Sequence, residues 1–300
     1  MVKRPTLKDL DLSIGKKTRL YHLLYQHGPK NGTLLILPFD QGLEHGPRDF
    51  FANPESADPA YQCRLALEGG FSGVVFQVGL AQKYMGEFAG KIPLILKING
   101  KTEIPADDEA FSPCDASVED AVRLGAVAVG YTLYVGSPAQ DRDFVQFGRV
   151  RQDCENYGMP LIVWAYPRGK AIESKGGRDC LYAVEYAART ACELGADVVK
   201  VNFPRITPDP AKGLPPRPYD TLQLTPLQAF RRVVEAAGRT LVLVSGGAKE
   251  DDASLLAKAR ESMDAGATGL IFGRNIWQRK WDESLVIVKK IQDIMKEFGA

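Results

Sequence analysis

Histidine is scarce in this chain and cysteine has no framework. There are three histidines and five cysteines in 300 residues. Zinc catalysis commonly uses about three protein ligands, often histidines. Of His22, His27 and His45, two precede the first candidate strand, so no metal site is expected. Cys63, Cys114, Cys154, Cys180 and Cys192 include no Cys-x-x-Cys pair, which points to reduced, mostly buried thiols. An excess of either charge is also missing. The 38 basic and 37 acidic side chains leave a net charge of +1. Nucleic acid and anionic membrane surfaces are therefore not expected partners, and any bound anion must be held by a local site. No apolar run is long enough to span a bilayer. The opening Met-Val-Lys-Arg-Pro-Thr-Leu-Lys has no apolar centre of the signal-peptide kind, so a cytoplasmic protein is expected. No Gly-x-Gly-x-x-Gly follows the first candidate strand, where an open dinucleotide-binding sheet would carry it. The turn there reads Asp40-Gln41-Gly42.

What is present is a soluble, core-forming composition, 45% apolar and 25% charged. Residues 1–31 read as an N-terminal helical extension, with a helix predicted over 16–26 and Leu20, Leu23 and Leu24 on one side. From 32 to 300 a rhythm sets in. Apolar runs predict strands at 33–39, 73–77, 93–98, 126–132, 160–166, 197–203, 240–244 and 268–272. Helices are predicted between and after them at 58–68, 80–88, 117–124, 138–157, 178–194, 226–237, 251–265 and 283–298. Several helices stop at a glycine just before the next strand: Gly70-Phe71, Gly125-Ala126, Gly195-Ala196, Gly266-Ala267. The strands are continuous apolar runs, as parallel strands covered by helices are. Eight β/α units over about 250 residues predict a single (β/α)8 TIM barrel.

The stretch Asp197-Val198-Val199-Lys200-Val201-Asn202-Phe203 stands out. Strand alternation puts Val198, Lys200 and Asn202 on one face, and Val199, Val201 and Phe203 on the other. A lysine among β-branched residues is desolvated, which disfavours its charge and leaves an amine able to attack carbonyls. The plainer alternative is a lysine that snorkels to water or pairs with a carboxylate.

In such barrels chemistry gathers at the C-terminal strand ends. Those ends carry Asp40, Gln41, Glu44 and His45 (first), Trp164, Tyr166 and Arg168 (fifth), Lys200 and Asn202 (sixth), Ser245-Gly246-Gly247 (seventh) and Gly273-Arg274-Asn275 (eighth). Glycine turns let backbone N–H groups approach an anion, and Ser245 and Arg274 add a hydroxyl and a guanidinium fork. The seventh and eighth turns are where this fold recurrently binds phosphate. The bland readings are a tight turn at Ser-Gly-Gly, a surface ion pair at Arg274, core packing for Trp164 and Tyr166, and an Asx turn at Asp40.

Taken together, Asp40-Gln41-Gly42-Leu43-Glu44-His45-Gly46-Pro47, Trp164-Ala165-Tyr166-Pro167-Arg168-Gly169, Asp-Val-Val-Lys200, Ser245-Gly246-Gly247 and Gly273-Arg274-Asn275 resemble the archaeal-type class I fructose-1,6-bisphosphate aldolases. The similarity runs from about Thr33 to Gln278. Asn53-Pro54-Glu55-Ser56-Ala57-Asp58 and Leu94-Ile95-Leu96-Lys97-Ile98-Asn99-Gly100-Lys101 agree as well. The resemblance implies a TIM barrel in which Lys200 forms a Schiff base, Tyr166 donates a proton and Asp40 assists. Gln41, His45, Asp49, Trp164, Arg168, Val201 and Asn202 would line the substrate site. Ser245, Gly246, Gly247, Gly273 and Arg274 would bind phosphate. No cofactor is implied, and the family suggests ring-based homo-oligomers such as decamers. Two features depart from the pattern. Gln41 stands where the family often has histidine, and the proline-rich loop 204–224 is longer, as a cover for the mouth or for an interface.

Three rivals are weighed against this reading. A metal-dependent aldolase lacks its histidines. Related Schiff-base barrels, the aminodeoxyheptulosonate synthases and acyl transferases, generally lack the Trp-x-Tyr-Pro-Arg-Gly stretch present here. A non-catalytic phosphosugar-binding barrel would need neither Tyr166 nor Lys200.

Overall fold

The computed structural model describes residues 4–207, 209 and 211–299. Residues 1–3, the start of the stretch read above for a leader, lie outside the described residues. So do Pro208 and Pro210 of the proline-rich loop.

Eight parallel strands close on themselves in chain order. They are β1 (Leu34–Pro38), β2 (Gly73–Gln77), β3 (Leu94–Lys97), β4 (Ala128–Val135), β5 (Leu161–Pro167), β6 (Val198–Val201), β7 (Leu241–Ser245) and β8 (Gly269–Ile271), with β8 returning to β1. The helices are α1 (Ile14–Tyr21), α2 (Gln41–Glu44), α3 (Pro59–Glu68), α4 (Val78–Tyr84), α5 (Val118–Arg123), α6 (Gln140–Asn156), α7 (Lys170–Glu173), α8 (Leu181–Leu194), α9 (Pro226–Ala236), α10 (Asp252–Asp264), α11 (Arg274–Trp277) and α12 (Trp281–Lys296). Local chemistry sets their ends. Ser117 and Thr225 cap α5 and α9 through reciprocal capping boxes with Asp120 and Gln228. Gly195, left-handed at φ +96°, stops α8.

Alternation along each strand divides the core in two. Leu35, Leu37, Val74, Val199 and Val201 face the helices. Ile36, Val75, Ile95, Ile162, Val198, Leu241, Leu243 and Ile271 fill the barrel. The same inner cluster takes in Leu20, Leu23 and Leu24, which lie on α1 and the π-helical turn His22–Gln26 that continues it. The extension therefore packs across the end of the barrel where the strands begin. Lys16, fully buried, fixes it there through Glu155 and through Asp197 Oδ2 at 2.9 Å. Burial works against the Lys16 charge, but Asp197 and Glu155 outweigh it and raise its pKa.

Four expectations need correction. The fourth strand runs three residues past Thr132, because Leu133, Tyr134 and Val135 pair with Ala165, Tyr166 and Pro167. The sixth strand ends at Val201, not Phe203. The fifth barrel helix starts at Leu181 rather than Arg178, since Cys180 forms a parallel bridge with Arg205 and holds 178–180 out of the helix. The thiols are free, but only Cys63 and Cys154 are buried, while Cys114 is exposed. The short helices α2, α7 and α11 sit in turns after β1, β5 and β8 where no helix was predicted.

Candidate active site

Lys200 projects from β6 into the barrel, in register with Trp164 of β5 and Leu243 of β7. It is 6% exposed. Its Nζ donates to the Tyr166 hydroxyl at 2.5 Å and lies 5.3 Å from the centre of the Trp164 ring. Burial pulls its pKa down from 10.5 to about 8, with the negative Asp40 and Glu44 opposing and the positive Lys97 and Arg274 assisting. At pH 7 a lysine of that acidity is roughly 9% neutral, against about 0.03% for an ordinary one. The site thus raises the nucleophilic fraction some 300-fold. The Tyr166 phenol is pushed the other way, well above its usual value, by burial and then by Glu44 and Asp40. It stays protonated, and can give a proton to a neighbour.

A second lysine, Lys97 of β3, enters the same space. Its Nζ donates to the Asn99 carbonyl at 2.9 Å, lies 3.8 Å from Asp40 Oδ2, and sits 5.4 Å from the Trp164 ring centre. Trp164 is therefore flanked by two lysines. The room comes from Gly130 of β4: a Cβ there would fall 2.9 Å from Trp164 Cζ3 and 3.1 Å from Lys97 Cδ. Asp40 is buried, and its Oδ2, ion-paired with Lys97, has no hydrogen-bond donor among the described residues.

Above Lys200 opens a cavity of about 370 Å³. Its β7–β8 side is Ser245, Gly246, Gly247, Gly273 and Arg274. Gly247 is left-handed at φ +71°, which lets the turn after β7 present its amides. Asn275 stitches the two turns: its Nδ2 donates to the Gly246 and Ala248 carbonyls, both at 3.0 Å, while its Oδ1 accepts from Glu250 N at 2.8 Å. With those carbonyls engaged, the Ser245 hydroxyl, turn amides and Arg274 guanidinium are suited to an anion. Ser245 Oγ donates to Asn202 Oδ1 at 2.9 Å, and Asn202 Nδ2 to Asp179 Oδ1 at 2.8 Å.

Most of the predicted residues meet here. Gln41, His45, Tyr166, Arg168, Lys200 and Asn202 line the cavity with the anion cradle. Asp40 and Trp164 do not line it: Asp40 lines a separate small cavity with Glu44 and Lys97, and Trp164 is fully buried beside Lys200. Asp49 stands behind the cradle, its Oδ2 3.8 Å from Arg274. Val201 does not join them: its side chain is packed between sheet and helices. His45 Nδ1 is 3.0 Å from Glu103 Oε2, on the rim. The sequence reading passed over Lys97, Tyr134, Arg178 and Asp179. Lys97 carried the same signal as Lys200, a lone cation in an apolar strand. Arg178 and Asp179 were hidden by starting their helix too early.

A walled-in amine of lowered pKa beside a phenol and an anion cradle, at the C-terminal mouth of a parallel barrel, is the equipment of an imine-forming carbonyl enzyme. Comparison with known proteins narrows the class. The DeoC/LacD aldolase family profile matches residues 34–279, and the chain belongs to that family. It is 42% identical over 252 residues to the class 1 fructose-bisphosphate aldolase of Thermoproteus tenax, covering 84% of this chain and 86% of that one. It is 35% identical over 251 residues to the Halobacterium salinarum class 1 enzyme, with the same coverage of 84% and 86%. Among solved structures it matches an archaeal fructose-1,6-bisphosphate aldolase whose catalytic lysine is covalently bound to the carbinolamine intermediate of its substrate. That match has a TM-score of 0.78 at 38% identity, over 92% of this chain and 99% of the other.

Proposed function

We infer that this chain is a class I, Schiff-base fructose-1,6-bisphosphate aldolase that cleaves its substrate reversibly to dihydroxyacetone phosphate and glyceraldehyde 3-phosphate. The observation that carries the reading is the Lys200 amine, buried, at a pKa of about 8 and 2.5 Å from Tyr166, in one cavity with the anion cradle.

In this reading neutral Lys200 adds to the C2 ketone of the open-chain sugar. The carbinolamine loses water to give a protonated imine. A base takes the C4 hydroxyl proton, the C3–C4 bond breaks, and its electrons pass to the imine nitrogen as an enamine. The aldehyde product leaves. Tyr166 protonates the enamine at C3, and water hydrolyses the imine to free the ketone product and Lys200. Asp40 stabilises the cationic imine. Ser245, Gly246, Gly247, Gly273 and Arg274 hold the C1 phosphate, and Arg168 faces the distal one. The imine serves as the electron sink, so the route calls on no metal or cofactor. Gln41, His45, Asn202 and the face of Trp164 shape the sugar's path. We further place the protein in the cytoplasm as a homo-oligomer, up to a decameric ring, on the strength of the family resemblance.

The test is borohydride reduction in the presence of fructose 1,6-bisphosphate, read by peptide mass. The adduct should sit on Lys200, and Lys200→Ala should abolish both adduct and cleavage. Full cleavage by that variant would refute the assignment.

A further inference from the structure

The β4–β5 pair stands taller than its neighbours, and it carries Tyr166. On one flank, the register of β4 with β3 ends at Gly130, because β3 itself ends at Lys97 and the chain leaves for the long loop. On the other flank, the register of β5 with β6 ends at Trp164. Between these flanks β4 and β5 run on together, Tyr134 opposite Tyr166 and Val135 opposite Pro167. One step further the Arg168 N–H donates to the Val135 carbonyl at 3.0 Å. The phenol that touches Lys200 is thus carried on the register with a strand that has outrun its own neighbour.

Side chains replace that neighbour. The N–H groups of Thr132, Tyr134 and Gly136 are two residues apart and point the same way, toward the side that β3 has left. Thr132 donates to Asn99 Oδ1 at 2.7 Å, Tyr134 to Asp143 Oδ2 at 3.0 Å and Gly136 to Gln140 Oε1 at 3.1 Å. Asn99 Nδ2 also donates to the Thr132 carbonyl at 2.9 Å. Asp143 is the middle rung and is fully buried. Its other oxygen accepts from the Tyr131 hydroxyl at 2.6 Å, and that hydroxyl accepts from Gln146 Nε2 at 2.7 Å. Resting on the aldolase reading above, we propose that Asn99, Asp143 and Gln140 are positioning residues for the reaction, a surrogate strand that fixes where β5 presents Tyr166 to Lys200. The plainer role is that a buried amide needs an acceptor wherever it lies. None of the three lines the cavity that contains Lys200, so what they give to turnover passes through β4. A reacting group misplaced by about 1 Å can cost about 10²-fold.

Asp143→Ala removes the acceptor for Tyr134. It should lower kcat for fructose 1,6-bisphosphate about 10- to 100-fold with little change in KM. Borohydride should still trap substrate on Lys200, which β6 carries. Asp143→Asn is the rescue: its amide oxygen can take the Tyr134 N–H while its Nδ2 donates to the Tyr131 hydroxyl. Its kcat should stay within about threefold of wild type. An Asp143→Ala kcat equal to wild type, measured well below that variant's melting midpoint, overturns the proposal. A brace that only stabilises the fold would lower the midpoint and leave the folded enzyme's turnover alone. Equal losses in the two variants overturn it too, because charge rather than the rung would then matter, and so does trapping lost in step with turnover. Should Asp143→Ala not fold, Gln140→Ala, at an exposed position, reads the next rung. Its kcat should fall about threefold at unchanged KM, and an unchanged kcat overturns the proposal. If wild type does not cleave the sugar, the aldolase reading fails by itself, and amide hydrogen exchange reads the surrogate strand. The 161–168 peptide must then exchange faster in Asp143→Ala than in wild type and Asp143→Asn; equal rates overturn it.

Discussion

Replacing Tyr166 with phenylalanine removes one oxygen and almost nothing else. The ring stays packed at the end of β5, in register with Tyr134, and Arg168 keeps its position 5.1 Å over the ring centre. The cost to the fold is that of one hydrogen bond, about 1 kcal/mol. The cost to chemistry should be far larger. The hydroxyl lies 2.5 Å from Lys200 Nζ, within reach of atoms bonded to that nitrogen, and its raised pKa keeps its proton available. A positioned acid of this kind contributes about 10²–10⁴ in rate, or roughly 3–5 kcal/mol of barrier. Amine addition does not require the phenol, so the imine should still form. Tyr166→Phe should therefore lower kcat by about 10²–10⁴, while borohydride continues to trap the substrate on Lys200. A coupled assay for the aldehyde product gives kcat, and intact-protein mass gives the trapped fraction. A kcat within tenfold of wild type would refute the acid role. Loss of trapping in step with turnover would show that the phenol serves the amine rather than the carbanion.

Two further outcomes follow from the charges. Lys200 acts as its free base, so kcat/KM should rise with pH at a slope of about one and level off near pH 8, the pKa that burial gives it. Lys97→Met removes a positive neighbour that helps hold this pKa down, so the rising limb should move to higher pH; a shift to lower pH would contradict the electrostatic account. At the other end of the barrel, Lys16→Ala leaves Asp197 buried with the Leu161 N–H, at 2.8 Å, as its one remaining donor among the described residues. Breaking a buried pair costs about 3–5 kcal/mol, and urea unfolding should show a loss near the lower figure; a loss below about 1 kcal/mol would mean that the ion pair is not what fixes the extension.

Much of this was legible in the chain because the barrel repeats one grammar. The strands are largely apolar runs, and most are preceded by a glycine of the kind that ends a helix, so eight units could be counted without tertiary knowledge. Lys200 announced itself as a charge where no charge belongs. The misses have physical reasons. Tyr134 lies beyond Thr132, where the apolar run looked finished, yet pairing with β5 carries the strand onward. Arg178 and Asp179 read as the first turn of a helix, but they form a separate turn, closed by the Cys180 N–H to the Gly177 carbonyl, just before the bridge between Cys180 and Arg205. Val201 is a different case. Alternation alone sets it on the face opposite Lys200, and the structure packs it there; positional analogy had put it at the substrate. The three short helices after β1, β5 and β8 are too brief to leave a periodic signature.

The leucines of the N-terminal extension stopper the barrel where its strands begin. With Ile36, Val75, Leu241 and the other inward side chains they fill the barrel on that side of Lys200, so the cavity reaches the amine from the C-terminal ends of the strands.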